Sequence, residues 1–203
     1  IPETIGSIAY LSKNINKMKQ NIFAGFNISC VGDDRCFSYL PSRNGNTISD
    51  KIALHVLKWT DKKFKKYTWN DRGSDERQYC SPGIDLPIAS VMRTKYGEYP
   101  EYHTSLDDLE KVVTPKGFEG SYKVYQKLLN ALEINCFPQA TIVCEPQLSK
   151  RKLYSTISIK NKLPSQTYNE RFFLNIMTHS DGKTSLLEIS DKCKSSIWKV
   201  YDA

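Results

Sequence analysis

The chain has 203 residues, with 29 Lys and Arg against 22 Asp and Glu, a net charge of +7, and 39% of its residues are apolar. That length accommodates one full domain and a small second one, and with only 10 Gly and 9 Pro the composition excludes a collagen-like or disordered chain. No apolar run reaches the roughly eighteen residues of a membrane span, and no basic segment leads into an apolar stretch at the start, so a cytoplasmic protein without a membrane partner is expected.

From Ile5 the apolar residues Ile5, Ile8, Leu11, Ile15 and Met18 recur at steps of three and four, which predicts an amphipathic helix. The period then changes to two over Ile22, Ala24, Phe26, Ile28 and Cys30, a strand that ends at Gly32-Asp33-Asp34. Cys36 to Leu40 reads as a short partner strand. Thr47-Ile48-Ser49-Asp50 resembles a capping box opening a helix through Lys58. Phe64 to Trp69 and the apolar run Leu86 to Met92 read as further strands, with a polar loop from Asp71 to Asp85 between them. A long loop, Lys95 to Thr114, leads into a helix near Pro115 with an apolar stripe of Phe118, Tyr122, Tyr125, Leu128, Leu129 and Leu132. Helices alternating with strands predict an α/β layered sheet with functional residues on loops at strand ends.

The composition shifts after Glu145-Pro146. Residues 146–203 carry ten basic and five acidic side chains, a net +5, against +2 for residues 1–145, and this divides the chain into an α/β domain over 1–145 and a basic tail over 146–203. Helical patterns over Asn169 to Thr178, over Ser185 to Cys193 and from about Ser195 follow, with Ser180-Asp181-Gly182-Lys183 as a turn, like the opening of a helix-turn-helix. Cysteines at 30, 36, 80, 136, 144 and 193 form no Cys-x-x-Cys pair, which excludes a zinc ribbon and reads as reduced thiols.

Two segments could carry chemistry. Glu101-Tyr102-His103-Thr104-Ser105-Leu106-Asp107-Asp108 sets an imidazole among carboxylates and hydroxyls, after a buried strand. Such a loop can supply a metal ligand with an oriented second nitrogen, and the plain alternative is an ordinary loop histidine. His55 and His179 read as structural. Asp71-Arg72-Gly73-Ser74-Asp75-Glu76-Arg77-Gln78-Tyr79 packs three carboxylates and two guanidiniums into nine residues. It is either a solvated loop with local ion pairs or a site in which Asp75 and Glu76 bind a metal or an amine and Arg77 grips a carboxylate.

These two segments, together with Pro2-Glu3-Thr4-Ile5-Gly6-Ser7, resemble three blocks of the bacterial aminopeptidase-like proteins found with polysaccharide biosynthesis genes, which are similar to the zinc aminopeptidases and glutaminyl cyclases. The tail resembles the winged-helix module of the same group. The resemblance implies a three-layer zinc-aminopeptidase-like sheet, C-terminal part only, followed by a partial winged helix-turn-helix. It implies that His103 is the last zinc-ligand histidine, in a His-Thr-x-x-Asp pattern. Glu3 falls where the family places a Glu pair, one base and one ligand, and Asp75 matches an active-site Asp. Glu76 replaces a family histidine, and Glu76, Arg77 and Tyr79 become candidate substrate contacts. The chain departs from the pattern in having a single Glu at the turn and Ser29 where a ligand Asp is expected. It also starts at the Glu turn, after the family's upstream His and Asp ligands, so the resemblance describes a fragment that is inactive alone.

The function expected on this basis is a zinc-dependent hydrolase of an amide or peptide bond next to a free amine, acting on a peptide or an aminoacylated small molecule, in surface polysaccharide biosynthesis. The alternative is a non-catalytic binding or regulatory protein that uses its basic winged-helix tail. A net +5 is modest for phosphate binding, so nucleic acid is not the expected partner. Self-association into a homo-oligomer stays open.

Overall fold

In the computed structural model, which describes residues 2–151 and 170–203, helix and strand alternate as the sequence periods predict. The helix start expected at Asn169 lies outside the described residues. The chain divides into two compact units, Ile1–Leu129 and Asn130–Ala203. No helix among the described residues is long and apolar enough to cross a membrane.

In the first unit, β1 (Gly25–Asn27), β2 (Ser38–Leu40), β3 (Lys65–Lys66) and β4 (Ile88–Met92) form one mixed sheet in the order β1-β4-β2-β3. β1 runs parallel to β4, whereas β2 is antiparallel to β4 and parallel to β3. All five residues of β4 are buried, which is why that strand reads as a continuous apolar run without alternation. The strands expected over 21–30 and 64–69 shrink to three and two paired residues.

Four helices accompany the sheet: α1 (Ile5–Asn21), α2 (Ile48–Thr60), α3 (Glu76–Tyr79) and α4 (Pro115–Glu133). The Thr47 capping box forms as expected, and its Asp50 carboxylate, 1% exposed, also accepts from Tyr39, Ser42 and the Thr47 hydroxyl. One capping carboxylate therefore fixes both the start of α2 and the end of β2. α3 is a short helix inside the segment expected to be loop.

Two apolar stripes turn out differently from expectation. On α1, Leu11 is buried, while Ile5 and Ile8 are 72% and 51% exposed. On α4, Leu128 is buried and Tyr125 and Leu132 are half-buried as expected, whereas Phe118, Tyr122 and Leu129 are exposed and Ser121, Val124 and Ala131 complete the buried face. The reason lies in Gly117: a Cβ there would collide with the Gly32 carbonyl oxygen and sit 2.7 Å from that of Asp33. The first turn of α4 packs backbone to backbone against the turn after β1, so small residues line its inner face there and the large apolar Phe118 and Tyr122 are turned outward.

In the second unit, α5 (Glu170–His179), α6 (Leu186–Lys192) and α7 (Ile197–Tyr201) follow one another. The Asp181 carboxylate accepts from the Lys183 and Thr184 amides and shapes the turn before α6. Ser185 and Glu188 form a reciprocal cap, and Ser196 caps α7. Leu186, Leu187, Ile189, Ile197 and Val200 are buried, giving α6, turn and α7 the core of a helix-turn-helix.

Candidate active site

The edge of the sheet where β1 and β4 both end carries the candidate residues. The Arg93 amide donates to the Cys30 carbonyl at 2.8 Å, prolonging the parallel pairing, and the chain after β4 then enters the loop that bears His103. That loop is tied down at its root. Asp33, 4% exposed, accepts from the Thr94 amide and hydroxyl and from the Arg35 amide. Arg35 in turn grips Glu101 with both guanidinium nitrogens, at 3.1 and 2.9 Å, and lies over the Tyr99 ring.

His103 occupies a turn closed by the Thr104 amide donating to the Glu101 carbonyl at 3.0 Å, and its φ is +59°. A non-glycine residue in that region is strained and persists only where its surroundings hold it. The surroundings are visible. The imidazole stacks on Tyr102, ring centroids 4.0 Å apart, and Tyr102 packs against Leu40, Met92 and Tyr96. The Thr104 hydroxyl donates to the Glu101 carbonyl, and Asp107 accepts the phenol of Tyr99 at 3.0 Å. The His-Thr-x-x-Asp spacing thus has a local mechanical content: Thr104 closes the turn, and Asp107 anchors it to the aromatic ladder. Burial, the Cys30 thiol and Asp107 push the Tyr99 phenol well above its ordinary value, so it stays a donor.

Glu3 sits at the other side of this edge, immediately before α1. Thr4 has φ +63° and ψ −59°, and the Ile5 amide donates to the Glu3 carbonyl at 2.6 Å. This is a γ-turn of the rare positive-φ kind, centred on a β-branched residue, and such backbones cost on the order of 1–3 kcal/mol. The Thr4 amide donates to Asp75 Oδ1 at 2.6 Å, and Arg77 donates to the Thr4 hydroxyl at 2.7 Å. The Glu3 carboxylate is also near enough to Tyr102 to help raise its phenol pKa, behind burial and Cys30. Contacts thus link the three segments: Thr4 bonds to Asp75 and Arg77, Glu76 bonds to Tyr96, and Tyr102, which packs on the cluster that contains Tyr96, stacks on His103.

Glu76 and Tyr79 are corrected. Glu76 is 0% exposed; its Oε1 accepts from the amides of Gly73 and Ser74 and the phenol of Tyr96, and its Oε2 from Asn27. A carboxylate enclosed by four donors has no face left for a substrate ammonium; it is the internal post around which the 73–77 segment folds. Burial, followed by the hydrogen bond to Glu76, holds the Tyr96 phenol far above its ordinary value. Tyr79 is half-buried against Leu11, Cys80, Leu86 and Ile88, so it packs between α1 and the sheet. Arg77 is exposed but is engaged by Thr4. Ser29, where a ligand carboxylate was expected, lies beside Cys30.

Sequence reasoning missed Asn27, Asp33, Arg35 and Tyr96. Arg35 and Glu101 are 66 residues apart, and no spacing rule connects them. The charged turn at Gly32-Asp33-Asp34 was itself a signal that the end of a strand held polar contacts.

Glu3 and His103 are donors of the types zinc takes, a carboxylate and an imidazole. Among the described residues, however, no group of three His, Cys, Asp or Glu side chains could hold a metal ion. The pair falls short of a closed tetrahedral site, so any metal would need further donors.

The first unit is a mixed α/β sheet with polar loops at the ends of its strands, and the second is a helix-turn-helix. The chain belongs to the family described as domain of unknown function DUF4910, which matches residues 1–135, and a winged helix-turn-helix family matches residues 137–203. It is 40% identical over 192 residues to a Clostridium acetobutylicum protein that carries the name polysaccharide biosynthesis protein with aminopeptidase-like domain, covering 94% of this chain and 43% of that protein. A crystal structure from the same organism, named for a peptidase, matches with a TM-score of 0.84 and 36% identity over 99% of this chain and 43% of that one. The chain thus spans less than half the length of these relatives.

Proposed function

We propose that this chain is part of a zinc-dependent aminopeptidase-like hydrolase that cleaves an amide or peptide bond next to a free amine, in the making of a surface polysaccharide. The observation that supports the reading most is the set of contacts joining the three segments: Thr4 bonds to Asp75 and Arg77, Glu76 to Tyr96, and Tyr102 packs on the Tyr96 cluster and stacks on His103. Zinc, when bound, would supply Lewis acidity toward the scissile carbonyl. His103 would offer it a neutral ring nitrogen, oriented by the Tyr102 stack, and the strained turn would present Glu3 as the general base that takes a proton from the attacking water and returns it to the leaving amine. Peptides and aminoacylated sugars both carry the required bond.

The test uses the complete protein. Glu3→Gln keeps the shape and removes the proton acceptor, so zinc should stay bound while turnover falls by roughly two to four orders of magnitude. If Glu3 is a ligand instead, zinc content falls as well. Wild-type zinc content and activity in both Glu3→Gln and His103→Ala would falsify Glu3 and His103 as the site, and a complete protein with neither zinc nor hydrolysis would favour a binding protein. The winged-helix unit, whose Lys183, Lys192, Lys194 and Lys199 are exposed, supports that second reading, which predicts salt-dependent binding to DNA or to an acidic protein.

A further inference from the structure

We propose that Asp75 and Arg77 are positioning residues for Glu3 that act through Thr4, an inference that rests on the hydrolase reading above. The three residues form a mechanical chain. Glu76, with no exposed surface and four donors on its carboxylate, immobilises the segment on which Asp75 and Arg77 flank it. Asp75 Oδ1 accepts from the Thr4 amide at 2.6 Å, and Arg77 Nη2 donates to the Thr4 hydroxyl oxygen at 2.7 Å.

Threonine has no intrinsic reason to stay at φ +63°, where its Cβ is crowded, so the turn is held from outside. Both external holds come from this one segment, one on the backbone and one on the side chain of the same residue. Released, Thr4 relaxes to negative φ and swings the adjoining Glu3 away from the edge it shares with Tyr102 and His103. The carboxylate of Asp75 is then a fixture for the turn and not a group that meets substrate. Arg77 likewise spends its reach on the Thr4 hydroxyl, not on a substrate carboxylate.

The proposal is tested in the complete protein by NMR amide exchange at Thr4, by zinc content, and by steady-state hydrolysis of an aminoacyl anilide. Asp75→Ala should speed exchange at Thr4 at least about tenfold and lower kcat roughly 10²-fold with KM little changed, the size of effect that follows a misplaced reacting group. Asp75→Asn retains an acceptor oxygen and should restore most of both. Arg77→Ala should lower kcat in the wild-type background and cost nothing further once Thr4→Val has removed the hydroxyl. Unchanged Thr4 exchange in Asp75→Ala, or an Arg77→Ala effect that raises KM equally with and without the Thr4 hydroxyl, overturns the proposal. If Asp75→Ala does not fold, the Arg77–Thr4 cycle decides, since Arg77 lies at the surface. If the wild-type protein hydrolyses no aminoacyl bond, the hydrolase reading fails by itself, and exchange at Thr4 still decides whether the clamp exists.

Discussion

Arg35 and Glu101 meet fork to fork, Nη1 to Oε2 at 3.1 Å and Nη2 to Oε1 at 2.9 Å, joining the connection after β1 to the first residue of the His103 turn. The hydrogen bonds from Arg35 hold the Glu101 carboxyl below its ordinary value of 4.5. A carboxylate with a depressed folded pKa contributes stability that is fully present above its unfolded pKa and is lost as pH falls through the folded value. The anchoring of the loop should therefore be complete above about pH 4.5 and weaken below it. Carboxyl-carbon NMR titration should give Glu101 a midpoint below 4.5 in the wild type and a higher one in Arg35→Met. Identical midpoints in the two proteins would remove Arg35 as the anchor.

Removing the Tyr96 hydroxyl takes one donor from a fully buried carboxylate. Hydrogen bonds to charged groups are worth about 1.5–3 kcal/mol, so Tyr96→Phe should destabilise by that order. Glu76→Ala strands the two amides, the phenol and the Asn27 amide together, and should cost more than Tyr96→Phe. Urea unfolding measures both, and a Glu76→Ala variant as stable as wild type would mean that Glu76 is not the internal post of this segment.

The two faces of α4 make opposite predictions. Gly117→Ala forces a Cβ into the Gly32 and Asp33 carbonyls and should cost about 1–3 kcal/mol by overpacking. Tyr122→Ala, at 65% exposure, should stay within about 0.5 kcal/mol. The reverse ranking in thermal melts would mean that Tyr122, and not Gly117, lies on the inner face of α4.

His103→Ala in the complete protein should lower zinc content and amide hydrolysis together while leaving the fold intact, since the side chain is exposed. His103→Gly should lose the same function yet be at least as stable as His103→Ala, because glycine accepts φ +59° without strain. A glycine variant less stable than the alanine variant would show that the positive φ is not a strained feature of this turn.

The helices and strands other than the short α3, the Thr47 cap and the helix-turn-helix tail were legible in the order of the amino acids. Each of these is written in local periodicity, local capping chemistry or consecutive residues, and such signals act over a few residues. Only the tertiary structure decided that Glu76 is an internal post and not a substrate contact, because its four donors come from Asn27, from Gly73 and Ser74, and from Tyr96. It also decided which side of α4 faces inward, since the close approach to Gly32 is a property of two distant backbones and leaves no apolar mark on either. The same holds for the edge: Asp75 and Thr4 are 71 residues apart, and a hydrogen bond across that distance exists only once the sheet has brought its loops together.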